Sequence, residues 1–283
     1  MRTTIPIVSS EDPRIEAYRD IRERDLVGRH GLFVIEGEVV LRSALARGRH
    51  RLASLLLAEN RVAALGDLLP VLDPAVPVFT ASAEVLEGIA GFAVHRGVLA
   101  IGERRPDPGA AALLAGLPED ALVLVAAGIA NHDNIGGLFR NAAAFGVDAV
   151  LLDHASCDPL YRKAIRVSTG SALALPFSRG GTLEGLHDAL IAAGFSLIAT
   201  SPAGREDLLS VKPERRTAVV MGAEGPGLPA SFLAACRTVR ISMAPGCDSL
   251  NVATAAAIVL HQLAALRPPR LNTSSTRPTV RNR

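Results

Sequence analysis

The chain has 283 residues, 49% of them hydrophobic, and a formal net charge of +2 at pH 7. That length leaves room for two domains with sizeable cores, and so small a net charge lacks the global cationic signature of a nucleic-acid binder. Its apolar stretches break off well short of a membrane span, and Cys157, Cys236 and Cys247 form no CxxC pair, so neither a disulfide framework nor a metal site is expected.

The opening MRTTIPIVSSEDPR carries charges where an export signal needs an apolar core, which points to a reducing cytoplasm. Residues 15–29 place apolar side chains at helical spacing, and Leu32–Gly37 is a short apolar run of strand type. Glu38–Gly48 reads as a helix closed by glycine. RLASLLLA, VPVFTA and RGVLAIGE supply further strands, with short helices expected over ENRVAALGDLL and SAEVLEGIAG. These elements make a first α/β unit over residues 12–104, and the Pro-, Gly- and Ala-rich stretch 105–120 reads as a linker.

From residue 121 to 267 strand and helix alternate. ALVLVAAGI, VDAVLLD, FSLIAT, TAVVMG and TVRIS are the strands. NIGGLFRNAAAFG, PLYRKAIRVSTGS, GTLEGLHDALIAAG, PASFLAAC and the stretch from Val252 onward are the helices. Such alternation implies a parallel sheet covered on both faces. Residues 268–283 hold Arg, no acid and little to bury, the composition of a disordered basic tail.

Three polar islands follow strands of this second unit, where open α/β sheets collect ligands. In NHDNIGGLFRNAAAFG, Asn134 can cap a helix, and Gly136 and Gly137 leave its start bare, which suits a phosphate approaching the backbone. Arg140 lies among apolar neighbours and either meets an anionic ligand or snorkels to solvent. In MGAEGPGL, Gly222, Gly225 and Gly227 surround Glu224, which is otherwise an ordinary loop charge; no GK[ST] follows, so a P-loop is disfavoured. The third island, ISMAPGCDSLN, crowds Asp248, Ser249 and Asn251 before a helix that needs one cap, and Asp248 is the residue most easily explained as that cap. Lys163 and Lys212 are the only lysines, a bias that a coding preference explains, so position rather than residue type must identify functional cations.

Taken together, Asn134–Ala142, Met221–Leu228 and Ile241–Val252 closely resemble the three signature motifs of the SpoU/TrmH branch of the SPOUT methyltransferases. FVIEGEVVLRSAL and VHRGVLAIGE resemble the substrate-recognition domain that many members carry, with Arg96 in place of the usual Gln. YRKAIRVSTGSALALPF is similar to a further family segment, with Ser171 where Ala is common, and His132 stands where Pro is frequent. The resemblance implies methyl transfer from S-adenosyl-L-methionine to a ribose 2′-hydroxyl of rRNA or tRNA. It also implies an N-terminal ribosomal-protein-like RNA-binding domain, a parallel-sheet domain tied in a deep trefoil knot, and a homodimer through that domain.

By the same resemblance Arg140, Asn134, Glu224, Ser249 and Asn251 are the catalytic set. Thr200, Ser201, Met221, Gly222, Glu224, Gly225, Ile241, Met243, Ser249 and Leu250 are the cofactor-binding set. The family role of Arg140 is general base. A guanidinium with a pKa above ~12 fits equally an electrostatic stabiliser of the forming alkoxide. Arg47, Arg49, Arg51, Arg162 and Lys163 are candidate RNA contacts, although the first three also suit a solvated loop. Rival readings are an rRNA methyltransferase that confers antibiotic resistance and a non-catalytic RNA-binding assembly factor. A dinucleotide-dependent enzyme is disfavoured, since no glycine-rich turn follows the first strand in register.

Overall fold

The structure is a computed structural model that describes residues 2–19, 23–47, 49–90 and 97–267. The tail 268–283, Gly48 and residues 91–96, including Arg96, lie outside the described residues, as does the side chain of Arg47.

The N-terminal part builds a five-stranded sheet from β1 (Ile5–Pro6), β2 (Leu32–Glu36), β3 (Arg51–Ala58), β4 (Val78–Ala81) and β5 (Val98–Glu103), in the order β1-β4-β3-β5-β2. β1, β4 and β3 run parallel, and β5 pairs antiparallel with both β3 and β2. Helices α1 (Glu23–His30), α2 (Glu38–Arg47) and α3 (Ala83–Ala90) flank it. The single helix expected over 15–29 is instead a 3-10 segment, Pro13–Tyr18, followed by α1. The stretch ENRVAALGDLL forms short 3-10 turns rather than an α-helix.

The second part is a seven-stranded sheet in which every pairing is parallel. Its strands are β6 (Ala121–Ala126), β7 (Ala149–Leu152), β8 (Phe177–Arg179), β9 (Ser196–Thr200), β10 (Glu206–Asp207), β11 (Arg216–Met221) and β12 (Arg237–Arg240), ordered β10-β12-β9-β11-β6-β7-β8. Every side chain of β6 is buried, as a central parallel strand with two covered faces requires. The two-residue alternation sends Leu122 and Leu124 to one core and Val123 and Val125 to the other.

One face is covered by α5 (His132–Ala144), α6 (Arg162–Val167), α7 (Ser171–Ala174) and α10 (Val252–Ala265). The other is covered by α4 (Ala110–Ala115), α8 (Leu183–Ala192) and α9 (Ala230–Ala235). Helix α4 falls within the stretch expected as a linker, and Leu114 is fully buried in the second core. A residue so placed stabilises by roughly 1.5–3 kcal/mol, so this part of the stretch is packed rather than loose.

The two sheets share one core, which runs from Phe33, Ile35 and Leu55 through to Leu173 and Phe177. Across it the buried Glu36 carboxylate lies 3.5 Å from Arg162 and 3.6 Å from Arg166, and Arg104 pairs with Asp158. No helix among the described residues is long and apolar enough to cross a membrane.

Candidate active site

The centre of the second sheet lays β12, β9, β11 and β6 side by side and parallel, so the loops leaving their C-terminal ends are neighbours. Thr200 ends β9, Met221 ends β11 and Ile241 follows β12 directly. Around these ends lies a cavity of about 560 Å3, within the range of small-molecule sites. Its walls include Thr200, Ser201, Met221, Gly222, Glu224, Gly225, Ile241, Met243, Ser249 and Leu250, the whole set expected to hold the cofactor. Pro202, Ala223, Gly227, Val239, Asp248, Val252 and Ala255 join them. None of these carries a polar motif signal except Asp248, which the capping expectation had absorbed.

The loop after β11 is shaped by sterics. A side chain at Gly222 would meet the Leu228 nitrogen at 2.6 Å, so only glycine lets Met221–Leu228 fold back on itself. The fold-back is closed by the Gly227 amide donating to the Ala223 carbonyl at 3.0 Å. Thr200 Oγ1 donates to the Val220 carbonyl at 3.1 Å and so ties the β9 loop to the neighbouring strand.

The three polar islands meet at the cavity edge. Asn134 Nδ2 donates to Glu224 Oε1 at 2.7 Å. Asn251 Nδ2 donates to Asn134 Oδ1 at 2.9 Å and to the same Glu224 oxygen at 3.1 Å. These residues are 90 and 117 positions apart in sequence, counted from Asn134. A carboxylate held by two amides is a charge-assisted arrangement that fixes the loop after β11 against the first turn of α5 and the start of α10.

Two capping expectations are corrected. The N-cap of α5 is Asn131, whose side chain accepts from the Asp133 amide at 2.8 Å. Asn134 lies inside the helix, buried, which frees its side-chain oxygen to accept from Asn251 while its Nδ2 donates to Glu224. The N-cap of α10 is Asn251, whose Oδ1 accepts from Ala253 and Thr254, so Asp248 is not the cap. Asn251 therefore serves both the helix and the network. Ser249 and Asp248 are exposed on the cavity wall.

The glycine pair has another purpose than phosphate binding. A Cβ on Gly136 would sit 2.7 Å from Val167 Cβ, and one on Gly137 would sit 2.7 Å from Ala253 Cβ. Both glycines thus allow α6 and α10 to approach α5, a packing requirement that outweighs their roughly 1 kcal/mol helical cost.

Arg140 is exposed on α5, is not part of the cavity wall, and has no partner among the described residues. Of the candidate RNA contacts, Arg162 is engaged with Glu36 and Lys163 pairs with Asp133 at 2.7 Å. The reading of residues 47–51 as a solvated loop is corrected for its middle: Arg49 lies half-buried 5.9 Å from the centre of the Phe177 ring, and His50 packs edge-on to Phe33. Burial pushes the His50 imidazole down to about 4. Arg51 is exposed at the start of β3.

A parallel α/β sheet whose strand ends surround a cavity with apolar walls, hydroxyls and carboxylates belongs to the class of α/β proteins that collect small-molecule ligands at such strand ends. Residues 121–261 match the model of the SpoU rRNA Methylase family. A Mycobacterium tuberculosis protein described as an uncharacterised tRNA/rRNA methyltransferase is 38% identical over 90% of each chain. The 23S rRNA (guanosine-2′-O-)-methyltransferase RlmB of Bordetella pertussis is 32% identical over 65% of this chain and 76% of its own. The solved structure of the SpoU methyltransferase AviRb from Streptomyces viridochromogenes, in complex with the cofactor AdoMet, aligns with a TM-score of 0.76. It is 25% identical and covers 90% of this chain and 98% of that one.

The chain belongs to the SpoU methylase family. It is an S-adenosylmethionine-dependent RNA methyltransferase.

Proposed function

We propose that the enzyme methylates a ribose 2′-hydroxyl of rRNA or tRNA in the cytoplasm, using the cavity at the strand ends for its cofactor. The observation that carries this reading is the Asn134–Glu224–Asn251 triangle, which unites the three motif segments at the cavity edge. The cavity fits the group. Ile241, Met243, Leu250 and Val239 offer apolar walls for an adenosine, Thr200 and Ser201 offer hydroxyls, and the carboxylates of Glu224 and Asp248 suit a cation.

Bound there, S-adenosylmethionine supplies an activated methyl group. The chain's own task is to align the ribose oxygen and ease the departure of its proton. Arg140 binds the adjacent phosphate and stabilises the developing alkoxide, a role open to a group that stays protonated. Ser249 and Asn251 orient the ribose, and Asn134 and Glu224 hold Asn251 in place. Arg140 stands outside the cavity of its own chain, as a site completed at a homodimer interface requires; the dimer is accordingly part of this reading.

Two further elements belong to it. The segment from β12 to α10 threads a loop as a deep trefoil knot, which pins the three cavity loops together. The sheet of residues 12–104 docks RNA, with Arg47, Arg49, Arg51, Arg162 and Lys163 as contacts, of which Arg51 is exposed at the start of β3. Mapping 2′-O-methyl sites in total RNA from cells with and without the gene tests the whole proposal. Loss of one or more ribose methyls on deletion is expected. An unchanged ribose map with a lost base methylation refutes it.

A further inference from the structure

One residue on the cavity wall has no task in the reaction described above. Asp248 is exposed there, caps nothing, and has no hydrogen bond or ion pair among the described residues. The second carboxylate of the wall, Glu224, is already held by the amides of Asn134 and Asn251. Among the described residues that form the wall there is no Lys, Arg or His to offset either charge. The charge of Asp248 is therefore free to act on whatever enters.

We infer that Asp248 makes the cavity selective for the charged methyl donor over its demethylated product. The inference rests on the reading that this cavity holds the cofactor. Donor and product share the adenosine, the ammonium and the carboxylate, and differ at sulfur. The donor carries a sulfonium and a net charge of about +1 at neutral pH, whereas the product carries a neutral thioether and no net charge. In the transfer the S–CH3 bond breaks with its electron pair staying on sulfur, the new O–CH3 bond forms, and the hydroxyl proton carries the positive charge away. The attraction of Asp248 for the sulfonium is thus present before the reaction and gone after it. One side chain thus favours donor binding without slowing product release.

Because Asp248 is exposed, solvent screening keeps the effect moderate: a ~3- to 10-fold preference, the upper end equivalent to about 1.4 kcal/mol. A pair to the shared ammonium would instead raise the affinity of donor and product alike, so the two placements separate cleanly.

The test is calorimetric titration of the full-length protein with S-adenosylmethionine and with S-adenosylhomocysteine, at low and at high salt. Asp248→Asn is expected to raise the donor Kd ~3- to 10-fold at low salt and to leave the product Kd within about twofold, with the difference shrinking at high salt. Equal losses for both ligands, or an unchanged donor Kd, overturn the inference. Ser249→Trp, which fills the cavity from an exposed position, is the control and is expected to weaken both ligands strongly. If it binds both normally, the location of the cofactor is wrong. If it loses both while Asp248→Asn keeps the wild-type ratio, the selectivity alone is wrong.

Discussion

Asn251 joins two jobs that a well-chosen substitution separates. Its Oδ1 caps α10 by accepting from Ala253 and Thr254, and its Nδ2 holds Asn134 and Glu224. Asn251→Ala removes both. Loss of the cap costs about 1 kcal/mol, which in a chain of this size lowers Tm by roughly 2–4 °C. Asn251→Asp keeps the capping oxygen and adds a charge that the helix N-terminus favours by about 0.3–1 kcal/mol. It also sets a carboxylate against Glu224 Oε1, where the amide now sits at 3.1 Å. Two like charges at that separation repel by about 1 kcal/mol under bulk-water screening and by several times that near a protein surface. Glu224 is exposed, so the cost is nearer the lower figure and is relieved by the loops parting. The expected signature is a melting temperature near that of wild type and above that of the Ala variant, because the cap is kept and the helix-terminus gain offsets the repulsion, together with a turnover lower by on the order of 10²-fold, as misplaced reacting groups produce. The assay is single-turnover transfer of labelled methyl to total RNA from cells lacking the gene, run beside thermal melting. An Asp variant with near-wild-type turnover refutes the role of the network. An Asp variant that melts as low as the Ala variant refutes the separation of the two jobs.

Arg140→Ala is expected to lower methyl transfer by on the order of 10²- to 10³-fold with unchanged calorimetric affinity for S-adenosylmethionine, since Arg140 is not on the cavity wall; a near-wild-type rate sinks its assignment. Gly137→Val drives a side chain into Ala253 at the α5–α10 contact, and differential scanning fluorimetry should show a loss of about 1–3 kcal/mol, whereas a phosphate-binding role would leave Tm unchanged. His50, with its pKa lowered by burial from 6.5 to about 4, is held neutral in the fold. Its contribution is complete above pH 6.5 and is lost as the pH falls through about 4. Allowing for partial exposure it amounts to roughly 1–2 kcal/mol. Chemical denaturation across that range should show a slope that His50→Asn reduces; an identical slope in the variant counts against it.

The architecture of the seven-stranded sheet was legible because its central strands are continuous apolar runs bounded by helices, and ALVLVA and RTAVVM are wholly or almost wholly buried. What escaped were elements too short to show a period: β8 has three residues, β10 has two, and α4 hides in a Pro- and Gly-rich stretch. The segment 15–29 illustrates the converse failure. Helical spacing ran across a boundary, and the chain breaks there into a 3-10 segment and a separate helix.

At the site, residue types were readable and their tasks were not. Asn131 and Asn134 are chemically equivalent caps, as are Asp248 and Asn251, so the choice within each pair turns on where the helix begins, and boundaries are the least legible part of a pattern. That small register difference decides the chemistry. Had α5 begun three residues later, with Asn134 as its cap, the side-chain oxygen of Asn134 would be committed to its own helix, and the amide of Asn251 would lose its acceptor there. Because α5 begins at His132, Asn134 is buried one turn inside and joins Glu224 to Asn251. The glycine pair follows the same logic. Its vacancy is filled by α6 and α10 rather than by a ligand, and the close approach of α10 carries Asn251 within reach of Asn134. Pairs such as Glu36–Arg162 and Asn134–Glu224 span 126 and 90 residues, and no local pattern specifies them. The motifs named the participants, and the packing of α5 against its neighbours assigned their partners.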